Sequence, residues 1–141
     1  MDSMDLTATA KADVSLRVPA DSAYVSVLRT MTAGLAARLD FTVDDIEDLR
    51  IAVGEACALV LPEARAGGDL EADFRLTPGT LEVSVGVPTD GPRSADQDSF
   101  AWQVLTTLTT TATAGGGDSR FEVTFTTESS LSVPGQPAPG G

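Results

Sequence analysis

Two hydrophobic periods alternate along this chain. Between Ala12 and Val18, Val14, Leu16 and Val18 alternate with Ser15 and Arg17, the period of two of a half-buried strand, which Pro19 closes. The period then lengthens. Tyr24, Leu28, Met31, Leu35 and Leu39 recur at steps of three and four behind the cap candidates Asp21 and Ser22, predicting a first helix to about Leu39. Asp40 and Phe41 link it to a longer helix, Thr42 to Pro62, whose stripe is Ile46, Leu49, Val53, Ala56 and Val60. Both ends of this second helix are marked. Thr42 and Asp45 form a shortened capping box, and Phe41 with Ile46 supplies a hydrophobic staple. Asp44, Asp45, Glu47 and Asp48 sit at the positive end of the helix dipole, and Pro62 stops the helix. So short a link predicts an antiparallel helix pair.

The period of two then returns. Leu70, Ala72, Phe74 and Leu76 form one alternating set and Leu81, Val83, Val85 and Val87 another. Between them Thr77-Pro78-Gly79-Thr80 fits a type II turn, so the two sets predict a hairpin. Pro88 to Asp98 reads as a loop. Asp98 or Ser99 caps a third helix with Phe100, Trp102, Val104, Leu105 and Leu108 as buried candidates, and its end dissolves into threonines, which are poor helix formers. Ala114 to Ser119 reads as a glycine-rich loop, and Phe121, Val123 and Phe125 as the last strand. The predicted order is β-α-α-β-β-α-β. Each strand has one apolar face and each helix one stripe, which predicts an α+β two-layer sandwich with helices on one face of a mixed, mostly antiparallel sheet. The domain is expected over residues 12–128, between a small, polar, disordered segment 1–11 and a disordered Pro/Gly-rich tail, 129–141.

Composition narrows the function. At 141 residues the chain is one domain with enough length for a core. Its formal charge of −12, from 9 basic and 21 acidic residues, argues against direct nucleic-acid binding and is compatible with a basic protein partner. No apolar run approaches the roughly 20 residues that span a bilayer. The N-terminal segment lacks the basic and apolar regions of a signal peptide, so a cytoplasmic location is expected. The single cysteine, Cys57, excludes an internal disulfide and reads as a small core residue or a redox-sensing thiol. With no histidine beside it, no structural zinc site is expected.

The segment 47–56, Glu-Asp-Leu-Arg-Ile-Ala-Val-Gly-Glu-Ala, carries the chemistry. Spacing alone makes Glu55 a solvated carboxylate. The segment resembles, however, the N-box helix of the bacterial anti-sigma regulatory factors, the RsbW-like serine kinases of the GHKL ATPase superfamily. Asp48, Ala52, Val53, Glu55 and Ala56 match that pattern. The resemblance extends over roughly Val14 to Thr127 and implies the Bergerat (GHKL) fold. It implies that Glu55 is the general base of a serine kinase, and that Arg29, 26 positions earlier, contacts a sigma factor; read alone, Arg29 is a surface arginine.

Three positions depart from the pattern. The magnesium-binding Asn is replaced by Leu59, which offers no oxygen to a hard cation. After the second hairpin strand, Asp90 and Gly91 are the only candidates for the adenine-reading box, out of register and without its second glycine. The stretch 95–100 before the third helix contains no glycine to cradle phosphates. The resemblance therefore implies an anti-sigma factor that sequesters an alternative sigma factor as a homodimer, is released by an anti-anti-sigma protein of the STAS type, and has weak or absent ATP binding and no metal site. The alternative is an active kinase that phosphorylates the anti-anti-sigma protein with Mg-ATP, using Glu55. A third reading, a dimer regulating some other signalling protein, has the same sequence features.

Overall fold

The computed structural model describes residues 11–131. In chain order the elements are β1 (Val14–Pro19), α1 (Val25–Arg38), α2 (Val43–Val60), β2 (Asp69–Thr77), β3 (Thr80–Pro88), α3 (Phe100–Leu108), β4 (Thr111–Gly115) and β5 (Arg120–Glu128). Single 3-10 turns, Ser22–Tyr24 and Leu61–Glu63, precede α1 and follow α2. The five strands form one sheet in the order β1-β2-β3-β5-β4. Every pairing is antiparallel, so the sheet is not mixed as expected.

The strand absent from the sequence reading is β4. Its threonines were expected to fray from α3, and Ala114 and Gly115 to lie in a loop. Instead Ala112 and Ala114 turn their small side chains to the core while Thr111 and Thr113 face outward. Alanines give too weak an apolar alternation to announce a strand, whereas β-branched threonine suits one. The glycine run supplies the hairpin turn to β5. Gly116 has φ +145°, and a Cβ there would collide with the Arg120 carbonyl oxygen, so a side chain is excluded by both geometry and space.

Helix ends follow the local signals closely. α1 ends with Asp40 at φ +62°. The Asp40 amide donates to Ala37 O at 3.1 Å and the Phe41 amide to Ala36 O at 3.1 Å, the paired bonds of a Schellman motif with buried Phe41 as its apolar member. α2 begins with the expected capping box: the Asp45 amide donates to Thr42 Oγ1 at 3.1 Å, and the Thr42 amide to Asp45 Oδ2 at 3.3 Å. In α3, Ser99 Oγ accepts from the Trp102 amide at 3.2 Å.

The core lies between the helices and one face of the sheet. Leu70, Ala72 and Phe74 of β2, Leu81, Val83, Val85 and Val87 of β3, and Phe121, Val123 and Phe125 of β5 are all buried. α2 crosses β3 and β5, with α1 and α3 packed on its two flanks. Because α2 is covered on three sides, it buries Ala52 and Cys57 in addition to Leu49, Val53, Ala56 and Val60. The α1 stripe is rotated from the predicted one: Val25, Leu28, Thr32 and Ala36 are buried, Met31, Leu35 and Leu39 partly so, and Tyr24 is exposed in the turn before the helix. Thr32 tolerates burial because its hydroxyl donates to Leu28 O at 2.7 Å. In α3 only Leu105 is fully buried; Phe100, a core candidate by spacing, is 76% exposed in the first turn. The outer face of the sheet is polar, with Arg17 near Asp69 and Glu71, and Arg120 at 3.0 Å from Glu71. Exposed pairs of this kind contribute at most about 1 kcal/mol each.

Residues 129–131 continue the ordered fold. The Ser129 amide donates to Gly79 O at 2.8 Å. The Ser130 amide and hydroxyl both donate to Asp45 Oδ2, at 3.0 and 2.9 Å, tying the end of β5 to the start of α2. The disorder expected from 129 is therefore absent at 129–131, and residues 132–141, like segment 1–10, lie outside the described residues. At Asp45, burial pushes the carboxyl up, but the Ser130 amide and hydroxyl and the Thr42 bonds outweigh it and hold the group below its ordinary value. A depressed folded value means stability present above the unfolded value of 3.8 and lost as pH falls through the folded value. Asp45→Ala is expected to cost about 1 kcal/mol at neutral pH, as loss of a helix cap does. Urea titrations should show that cost shrinking as pH falls below 3.8; a cost independent of pH would mean that the carboxylate charge is irrelevant.

Candidate functional site

The candidate site is built on the outer side of the α1–α2 pair. On α2, residues one turn apart share a face, so Glu47, Ile51 and Glu55 form a row opposite the buried stripe, and Arg50 lies beside it. From α1, Arg29 reaches across to this row. Arg29, Glu47, Arg50, Ile51 and Glu55 line an open depression of ≈ 350 Å³. Arg29, Arg50 and Glu55 are half-buried, whereas Ile51 is 47% exposed, an apolar contact point among four charges.

Two of the four residues singled out from the sequence, Arg29 and Glu55, therefore line one depression. The other two, Asp90 and Gly91, do not line this depression. Asp90 is exposed in the loop after β3. That loop is shaped by its own bonds: the Thr89 amide donates to Ser119 O at 2.9 Å, and the Thr89 hydroxyl to Gly91 O at 2.6 Å. Farther on, Arg93 pairs with Glu63 at 2.9 Å, pinning the loop to the end of α2. Glu47, Arg50 and Ile51 were not singled out, although their spacing from Glu55 on one helix face was a usable signal.

Helix geometry places Asp48, Ala52 and Leu59 along one side of α2, away from the side that Arg29 covers at Gly54, with Glu55 at the border between that line and the depression. Leu59 is partly buried against the hydrophobic core. Its hydrocarbon side chain does not fit a magnesium ion, which requires oxygen ligands. Ala95, in the stretch before α3 that lacks glycine, also packs on the core. Cys57 lies inside, fully shielded from solvent. Burial pushes its thiol up to about 12 despite the opposing field of Arg29. The thiolate is the reactive species, so the surroundings of Cys57 are those of a small core residue. Among the described residues no helix is long and apolar enough to cross a membrane.

This architecture and the α2 motif agree with known proteins. The family model described as "Histidine kinase-like ATPase domain" matches residues 18–117. A serine-protein kinase RsbW of Halalkalibacterium halodurans is 42% identical over 88 residues, covering 62% of this chain and 52% of the relative. The serine-protein kinase RsbW of Bacillus thuringiensis is 36% identical over 74 residues, covering 51% of this chain and 46% of the relative. The chain thus spans about half the length of the curated relatives it matches. With its antiparallel sheet, its three helices on one face and its Glu55-bearing α2, the chain belongs to the histidine kinase-like ATPase domain family as an RsbW-like member.

Proposed function

We propose that this protein is an anti-sigma factor that acts by sequestering an alternative sigma factor, with weak or absent ATP binding. The observation that carries this reading is the contrast along α2. The depression shared by Arg29 and Glu55 keeps its charged, partly exposed character, whereas Leu59 places hydrocarbon where the family resemblance calls for a magnesium ligand. A binding surface is retained and a metal position is not. The charge of −12 suits a partner that otherwise engages nucleic acid and polymerase. Release falls to a competing STAS-type protein, and the functional unit is a homodimer joined through β1 and α1. Supporting that pairing, α1 carries a shallow depression lined by Ser26, Val27, Thr30 and Met31, with Val27 43% exposed.

The second reading, a kinase acting on the STAS protein, is favoured by Glu55, a half-buried carboxylate suited to accept a hydroxyl proton. Calorimetry separates the two. Titration with Mg-ATP is expected to give no binding heat, whereas micromolar affinity, about −8 kcal/mol, would restore the kinase reading. Leu59→Asn should then gain measurable Mg-ATP affinity, at about 1–3 kcal/mol of stability for placing an amide against the core. An absence of gain would assign the defect to the loop after β3 and the stretch before α3. Each sigma factor of the source genome, purified singly, tests sequestration directly: one of them should bind and lose its ability to program core polymerase in a transcription assay. Failure of every one would end the anti-sigma reading.

A further inference from the structure

Gly54 stands in the middle of α2, an 18-residue helix. Glycine in a helix interior is destabilising relative to alanine, so its place there calls for a reason. Neither a turn nor a positive φ supplies one. The reason lies in space: a Cβ at Gly54 would sit 2.5 Å from Arg29 Nη2, 3.1 Å from Nε and 3.2 Å from Cζ. Nη2 of Arg29 occupies the volume that a Cβ would fill, and Nε and Cζ lie in tight contact with it.

We propose that Gly54 is a positioning residue whose missing side chain forms the seat of the Arg29 guanidinium, fixing the direction in which Arg29 faces a partner. This rests on the reading of Arg29 as a partner contact. No salt bridge among the described residues involves Arg29, so its position is not set by a direct carboxylate contact. It is set by shape, between the α1 backbone that carries it and the bare turn of α2 beneath. The guanidinium presents its donors as a planar fork, and its value in recognition depends on that fork being oriented in advance. A seated Arg29 meets an acceptor on the partner without first losing the rotamer freedom of a long side chain. The exposed Ile51 and the charges of Glu47, Arg50 and Glu55 surround the same depression, so a change in the tilt of Arg29 changes the pattern presented to a partner.

Gly54→Ala tests this. The atoms it displaces are the far end of a flexible side chain, so the fold accommodates the change and the melting temperature should stay level or rise. Arg29 itself should report the displacement. Its Nε–H resonance in nitrogen-15 spectra should shift, and its modification by phenylglyoxal, mapped by peptide mass, should accelerate severalfold. Affinity for the sigma factor that binds the parent protein should fall about tenfold, a factor equal to 1.4 kcal/mol. In an Arg29→Lys background the same substitution should have little further effect, because the ammonium lacks the fork that lies over Gly54. A merely structural glycine would lower the melting temperature and leave the Arg29 resonance and labelling rate unmoved, and that result overturns the proposal. The two readings fail separately: unchanged affinity in Arg29→Glu removes the partner contact, whereas the spectra and labelling decide the seat.

Discussion

Arg29→Glu is expected to weaken sigma-factor binding by roughly 100-fold or more while leaving the melting temperature within a few degrees of the parent. The side chain is half-buried on the outside of the helix pair and forms none of the salt bridges among the described residues, so its replacement breaks no such pair. Surface changes of that kind alter stability by about 0.5 kcal/mol or less. The binding loss is larger because the substitution both removes a donor fork and turns attraction into repulsion. Reversal also places a third carboxylate beside Glu47 and Glu55 in the depression. Titration of the purified variant against the cognate sigma factor, alongside a thermal melt, separates the two effects. Full affinity with an intact fold would remove Arg29 from the interface and move the search to the exposed Val27 and Tyr24 of the α1 region.

Phe125→Ala is expected to produce the largest loss of stability, about 3–5 kcal/mol in chemical denaturation. Phe125 is completely buried on β5, with Val83 of β3 and Ala112 of β4 as its cross-strand neighbours. It lies in the sheet layer that α2 crosses, so its truncation opens a cavity beneath the helix bearing Glu55. Against a typical total of about 5–15 kcal/mol, this brings the domain close to unfolding at physiological temperature. Phe100→Ala is the control. The residue type and truncation are the same, but Phe100 is 76% exposed, and its loss should fall within about 0.5 kcal/mol. Equal costs at the two positions would mean that α3 is packed differently from the structure described above.

These two phenylalanines also show what could be read in advance and what could not. Phe125 belongs to an alternating run whose face is fixed by the strand period alone. Phe100 occupies the first turn of a nine-residue helix, where a few apolar residues fit more than one stripe and only packing against α2 selects the real one. Tyr24 was misplaced for a related reason, since it lies in a 3-10 turn before α1 and is not in register with the helix that follows. The β4 strand was missed because alanine and threonine carry little hydrophobic contrast; its identity comes from hydrogen bonding to β5. In the candidate site, Arg29 and Glu55 were found through the motif they match. Gly54 stood inside that motif as a variable position, with nothing in its local surroundings to show that an arginine from another helix rests on it.

By itself the sequence determined the elements that depend on nearest neighbours: the alternations of β1, β2, β3 and β5, the caps of α2 and α3, and the Pro78-Gly79 turn. Each is governed by interactions within a few residues, so composition and spacing suffice to specify it. Which residues from separate elements share a surface follows from long-range packing alone. The packing of α1 on α2 brings Arg29 over Gly54 and into one depression with Glu55, the return of β5 ties Ser130 to Asp45, and α3 packs against α2. Those juxtapositions depend on how apolar faces interdigitate across the core, a relation between distant segments that no local periodicity encodes.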